Sequence, residues 1–392
     1  MNRENRYLFP LLIFVCALLL LWYRAPTRIE HGYLWAEDAA IFITQAYDAG
    51  RHSFFLSYSG YWHFVPRLVA WLQMRTTPLT AAPYFFVWAC VLITALTSAY
   101  IAYAFRRFSR PVAGLFALAP LLVPQTGECL LNVTNIQWIL FPALLVLLWE
   151  NLFNPPESGY IIRGLAAAAI SLTGPFGIIA LGPVTIAGAY ALRSGRLSRR
   201  QFGFFLLYLL GVLGQIYAVK TSAAPPLEFG ARPYLLRYSA RLLREVFTDL
   251  LPLPDSVPTI AGLILAIPLV FVVARSRARG TCLLLASMAG LIWLLGAGRS
   301  NPYLDHMMWY GFGARYIYPA LMFFFWAALL SFETATSTTS RYVAGGLIVV
   351  ILLSSAARFQ AQEWPRTEIT RSSTGYVMKV APNWTAQIPD RH

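Results

Sequence analysis

The run Leu8-Phe9-Pro10-Leu11-Leu12-Ile13-Phe14-Val15-Cys16-Ala17-Leu18-Leu19-Leu20-Leu21-Trp22-Tyr23 is followed by Arg24-Ala25-Pro26-Thr27-Arg28. It holds no charge, is long for the apolar part of a signal peptide, and has no small-x-small cleavage site after it, so it reads as a retained membrane anchor. Ten further apolar runs follow, at 84–104, 112–124, 132–149, 164–175, 177–192, 202–219, 258–274, 281–297, 314–331 and 342–357. Several are shorter than the roughly 20 residues that a spanning helix prefers, and 164–192 is also compatible with one bent helix. The expected fold is an all-α polytopic membrane protein of about 11 transmembrane helices, with amphipathic helices on its periplasmic face. Residues 1–357 form the transmembrane domain and 358–392 a periplasmic tail. No internal repeat of the kind built into many secondary transporters is visible.

Composition points the same way. The chain has 392 residues, 58% hydrophobic and only 12% charged, whereas soluble domains keep about a quarter of their residues charged. Its formal charge of +14 would suggest nucleic acid in a polar chain. Here the cations sit in short clusters between apolar runs, so they read as topology, and no nucleic-acid partner is expected. Cys16, Cys90, Cys129 and Cys282 have no ligand-like spacing, which leaves neither a disulfide framework nor a zinc site.

Cytoplasmic loops are the ones enriched in Arg and Lys. With the amino end inside, the cytoplasmic segments hold fourteen cations, in clusters such as Arg106, Arg107 and Arg110 or Arg275, Arg277 and Arg279, against four carboxylates, Glu4, Glu150, Glu157 and Glu333. Eleven spans then put the carboxyl end in the periplasm. The long hydrophilic loops at 24–83, 221–257 and 299–312 share that side with the tail, so the chemistry is expected there. The span interiors contain no Asp, Glu, Lys or Arg, which disfavours ion-coupled transport and proton pumping.

In the first outer loop, His31–Gly50 has the pattern of a helix lying along the membrane surface and ending at Gly50. Glu37 and Asp38 open it. They serve either as first-turn carboxylates at the positive end of the helix dipole or as a general base or metal ligand beside the bilayer. Farther on, Gly60-Tyr61-Trp62-His63-Phe64-Val65-Pro66-Arg67 begins a second helix with Pro66 in its first turn. His63 and Arg67 then share a face and could grip a phosphate, Arg67 as a fork of donors and His63 as a donor or acid. The competing role is an interfacial helix anchored by Tyr61, Trp62 and Trp71.

Trp35-Ala36-Glu37-Asp38 and the Gly60–Arg67 stretch, taken with Thr173-Gly174-Pro175-Phe176-Gly177 and Gly313-Ala314-Arg315-Tyr316, resemble the GT-C class of integral-membrane glycosyltransferases, in particular its bacterial members. The resemblance covers most of the chain as a hydropathy and motif pattern, and each motif is short. It implies that Glu37 or Asp38 is catalytic and that the donor is a polyprenyl-phosphate-linked sugar.

Other outer residues suit such a substrate. Glu128, Asn132, Asn135, Gln137 and Trp138 cluster at one span end and, with Tyr61, form the expected sugar- and acceptor-binding group, amides for hydroxyls and aromatic faces for rings. Thr173–Gly177 breaks an apolar stretch, as a plain turn or as a lining of the donor site. Arg237, Arg241 and Arg244 recur on one face of an amphipathic helix, suited to lipid headgroups or to the donor phosphate. Arg315, at a span end, is a further phosphate-binding candidate after Arg67. The tail carries a short strand, Tyr376–Val380, leading to a turn.

The resulting expectation is an inverting glycosyltransferase in the bacterial cytoplasmic membrane, with its site on the periplasmic side. It moves a sugar from a polyprenyl-phosphate donor to a hydroxyl of a glycan, lipid or protein acceptor. The mechanism requires no cofactor and no metal, although the acid pair leaves room for a divalent cation. The alternatives are a transporter of lipid-linked glycans or polysaccharide, and a non-catalytic subunit of cell-envelope assembly.

Overall fold

Away from water a backbone can satisfy its N–H and C=O groups only within itself, so each apolar run becomes a helix. The computed structural model describes residues 5–124, 127–153, 155, 158–193, 198–222, 267–300, 314–357 and 359–389. Its longer helices are α1 (Asn5–Arg24), α4 (Phe64–Thr76), α5 (Ala82–Ala104), α6 (Arg110–Leu122), α7 (Ile136–Phe153), α8 (Tyr160–Ser171), α9 (Phe176–Arg193), α10 (Arg199–Thr221), α11 (Arg279–Ser300), α12 (Ala314–Glu333) and α13 (Thr338–Ala357). Short helices α2 (Pro26–His31) and α3 (Thr44–Ala49) flank a π-helix, Asp38–Ile43.

Among the described residues, eight helices are long and apolar enough to cross a membrane: α1, α5, α7, α9, α10, α11, α12 and α13. α6 and α8 are apolar but shorter. Ten of the eleven expected segments are therefore helical. Of the eleventh, 258–274, only 267–274 is described, and it is helical. Large apolar side chains on the outsides of these helices, such as Leu11, Leu19, Leu96, Leu213 and Tyr342, are exposed. That surface suits lipid and not water, and the chain is a multi-pass membrane protein.

Three local expectations change. The run 132–149 starts its helix at Ile136, because the polar residues ahead of it fold into a buried loop. The expected single helix over His31–Gly50 is not helical at 32–35 and then continues as the π-helix and α3, although its end at Gly50 holds. The tail is more than one strand. β1 (Glu368–Ser372), β2 (Gly375–Val380) and β3 (Trp384–Pro389) form an antiparallel sheet in the order β1-β2-β3.

The chain divides into two compact units. One contains residues 1–24, 98–129 and 226–362; in it α6 packs against α1 and α12, and α12 against α11 and α13. Pro120 inside α6 cannot donate to the carbonyl of Phe116, one turn back. The indole N–H of Trp326 takes that carbonyl at 3.1 Å, and the hydroxyl of Tyr318 takes the carbonyl of Pro120 at 3.2 Å. The buried guanidinium of Arg24 donates to the carbonyl of Leu121. Helix α6 thus ends with its freed acceptors satisfied by side chains.

The other unit contains residues 25–97, 130–225 and 363–392. Ser198 and Gln201 close a capping box at the start of α10, where orphan N–H groups need acceptors. Helices α8 and α10 pack closely, because Gly211 lets the backbones approach. A Cβ there would lie 2.7 Å from the Ala168 backbone, whereas a Cβ at Gly203 on the same helix meets nothing. Gly211→Ala is therefore expected to cost about 1–3 kcal/mol and to lower the melting temperature in detergent. Gly203→Ala, in open space and with the better helix former, should leave it unchanged or raise it slightly, and equal melting of the two variants would contradict this packing.

Candidate functional site

The π-helix begins at the acid pair, and the two acids differ sharply. Asp38 is fully buried. Its Oδ1 accepts from the backbone N–H and the hydroxyl of Thr134, both at 2.8 Å, and its Oδ2 accepts from the N–H of Trp35 at 3.1 Å. The carboxylate thus closes the first turn of its own helix and straps it to the loop ahead of α7. Burial pushes its pKa up to about 7; the bonds from Thr134 and Trp35 oppose the rise, and the neighbouring charge of Glu37 adds to it. Glu37 is half-buried. Its Oε1 accepts from the Tyr58 hydroxyl at 3.3 Å, and its Oε2 has no partner.

Tyr58 is placed by a tight turn. Tyr58 and Tyr61 exchange backbone hydrogen bonds at 3.0 and 3.2 Å across Ser59 and Gly60, both with positive φ, the pattern of a two-residue hairpin connection. The turn stacks Tyr61 on His63, ring centroids 4.4 Å apart, and brings Tyr58 to 5.7 Å and Phe42 to 5.2 Å from the same imidazole. Tyr58 is not among the residues expected from the sequence, although the Ser-Gly pair beside it is a turn signal.

His63 directly precedes α4 and Arg67 lies in its first turns, four residues apart as expected. The start of α4 is held by the break between α8 and α9. Phe64 N–H donates to the carbonyl of Leu172, and Val65 N–H to the hydroxyl of Thr173, which itself donates to Ala169. Just before it, the Gln215 amide bonds both the N–H and the carbonyl of Trp62. The Thr173–Gly177 stretch therefore acts as a turn that positions α4. His63 is buried, and burial together with Arg67 holds its pKa down to about 3. It is neutral at ordinary pH, and its Nδ1 has no partner.

Arg67 is 1% exposed. Burial lowers its pKa, but only to about 10, so it remains a cation at neutral pH. Its Nη1 donates to Gln45 Oε1 at 2.8 Å and its Cζ lies 5.5 Å from the Phe42 ring, while Nε and Nη2 have no partner. No carboxylate among the described residues forms a salt bridge with it. A buried charge lacking a counter-charge is costly, and a guanidinium fork suits a phosphate or carboxylate.

The other expected residues divide into four groups. Gln137 joins the cluster, its Nε2 donating to the Tyr61 hydroxyl at 3.3 Å and its Oε1 unpartnered. Asn132, Asn135 and Trp138 lie in the same region, where Asn132 Oδ1 accepts from Asn135 N–H at 2.8 Å and Trp138 meets Phe176 edge-on at 4.8 Å. Glu128 and Arg315 belong to the other unit and partner each other, with Glu128 accepting from the Arg315 guanidinium at 2.8 Å and its backbone N–H at 3.1 Å. That pair occupies the start of α12, where a carboxylate meets the helix dipole. Arg237, Arg241 and Arg244 lie outside the described residues. Among the described residues no three His, Cys, Asp or Glu side chains gather into a metal-holding group.

The Asp38 strap has measurable consequences. Its folded pKa of about 7 lies above the ordinary 3.8, so between these values the folded state keeps a proton that the unfolded state has lost. The contribution of this group to stability is full below pH 3.8, declines as pH rises to about 7, and levels off above. Asp38→Asn is expected to flatten that decline in thermal melts taken across this range; an unchanged slope would assign it to other groups. Thr134→Val, which deletes one charge-assisted hydrogen bond, should cost about 1.5–3 kcal/mol at pH 8. No family model, curated protein or solved structure matches this chain.

Proposed function

We propose that the chain is an inverting glycosyltransferase of the cytoplasmic membrane that uses a polyprenyl-phosphate-linked sugar. The observation that carries this is the cluster of a buried, unpaired Arg67 and a half-buried Glu37 with one unpartnered oxygen, linked through the rings of Phe42, Tyr58 and His63. A cation without a counter-ion and, across these rings, a carboxylate oxygen without a donor support a ligand that supplies a phosphate and a hydroxyl. The excess of Arg in the loops opposite the 24–83 segment supports a periplasmic site with the amino end in the cytoplasm.

In this mechanism the donor phosphate accepts from Nε and Nη2 of Arg67. The acceptor hydroxyl donates to Glu37 Oε2 and, as its oxygen attacks the anomeric carbon, passes its proton to that carboxylate. The bond from the anomeric carbon to the phosphate oxygen breaks, and polyprenyl phosphate leaves with the electron pair, stabilised by Arg67. One displacement inverts the anomeric centre. Glu37 is the better base of the pair, because both oxygens of Asp38 already hold donors and none of that residue is exposed. Asp38 positions it. Gln137 and Tyr61 border the acceptor, and the Glu128–Arg315 pair has no direct part in the reaction.

A general base contributes about 10²–10⁴-fold. In a deletion strain complemented at equal protein level, Glu37→Gln should therefore lose the glycan product seen by mass analysis of surface polysaccharides and lipids, while wild type restores it. Restoration by Glu37→Gln to the wild-type amount would remove the assignment of the base.

A further inference from the structure

The C-terminal sheet gathers polar groups around an open cleft, lined by Arg366, Glu368, Lys379, Asn383, Trp384 and Thr385 among others. Strand alternation turns Met378, Val380, Ala386 and Ile388 inward, and the strand register sets Glu368, Lys379 and Thr385 in one row across the opposite face. Glu368 neutralises Lys379 at 3.1 Å. Arg366 has no salt bridge among the described residues, so the cleft carries an uncompensated positive charge. Beside it Trp384 is 42% exposed, an uncommon position for so large an apolar ring.

A flat indole face, an amide, a hydroxyl and a guanidinium in one cleft match the chemistry of an acidic sugar. The ring's C–H face packs on the indole, its hydroxyls bond Asn383 and Thr385, and its carboxylate takes the Arg366 fork. The cleft is also joined to the segment that carries the acid pair. Ala381, between the cleft residues Val380 and Pro382, pairs with Trp35, two residues before Glu37. Leu34 N–H donates to the Thr367 hydroxyl at 3.1 Å, Trp35 meets Trp364 edge-on at 5.5 Å, and β3 packs on the π-helix. That attachment favours a chain of sugars leading toward Glu37 over a lipid headgroup.

We infer that this cleft binds an acidic oligosaccharide and is the acceptor subsite of the protein. The acceptor role rests on the transferase proposal; the binding does not. The test is calorimetric titration of the full chain in nanodiscs with trigalacturonate, and with maltotriose as the neutral control. Trigalacturonate should bind, at least tenfold more tightly than maltotriose. Trp384→Ala and Arg366→Ala should each weaken it tenfold or more, with Trp384→Phe and Arg366→Lys retaining most of the affinity. No binding of trigalacturonate at millimolar concentration, equal binding of the two sugars, or wild-type binding by both alanine variants would overturn the assignment. If the cleft fails to bind while Glu37→Gln still loses transfer, the cleft alone is wrong. If the cleft binds and Glu37→Gln transfers normally, the site stands as a glycan-binding cleft and the transferase proposal falls.

Discussion

A carboxylate removed from water holds the first long loop to the start of α7. Asp38 receives three hydrogen bonds, one from its own turn at Trp35 and two from Thr134, ninety-six residues along the chain. A buried charge without such donors is costly, and removing the carboxylate leaves the Thr134 and Trp35 groups without their acceptor. The π-helix that it anchors then carries Glu37, Phe42 and, one turn beyond, Gln45 into the same neighbourhood. The C-terminal sheet rests on that helix as well, through β3 and the Trp35–Ala381 pair.

This strap sets up the electrostatics around Arg67. Helix α4 is held from the other side by Leu172, Thr173 and Gln215, which leaves its guanidinium little freedom to seek water. Gln45 and Phe42 provide a neutral bond and an aromatic face, but neither cancels the charge. Nearby His63 stays uncharged, because burial and the same cation both disfavour its protonation. The cluster therefore concentrates positive charge at one point with an unoccupied carboxylate oxygen in its surroundings. Such a division of labour suits a reaction in which an anion departs and a hydroxyl loses its proton.

Much of the helical architecture was legible because it depends on local signals. Continuous apolar runs without charge mark α1, α5, α10 and α13, and the Thr173-Gly174-Pro175 break separates α8 from α9. The stop at Gly50 and the start of α4 near Pro66 follow from turn and helix-end chemistry. The site was legible only in its residues and not in its pairings. Glu37 and Asp38 look alike as neighbours, and only Thr134 tells them apart. Glu128 and Arg315 were assigned separate roles because a partner 187 positions away leaves no trace in the local pattern. The three-stranded tail was read as one strand, since β1 and β3 are short and become strands through pairing with β2. That Asn132 Oδ1 would accept from the Asn135 N–H within the loop is likewise not visible in the sequence, because an amide that shapes a loop has the same side chain as one that binds a hydroxyl.

Arg67 is proposed as a buried cation kept for a lipid-linked phosphate. Titration of farnesyl phosphate into the full chain in nanodiscs, followed by calorimetry, tests it most directly. Saturable binding is expected for wild type, at least tenfold weaker binding for Arg67→Gln at an equal or higher melting temperature, and no change for Arg315→Gln, whose cation already holds Glu128. Equal affinity in wild type and Arg67→Gln would contradict it.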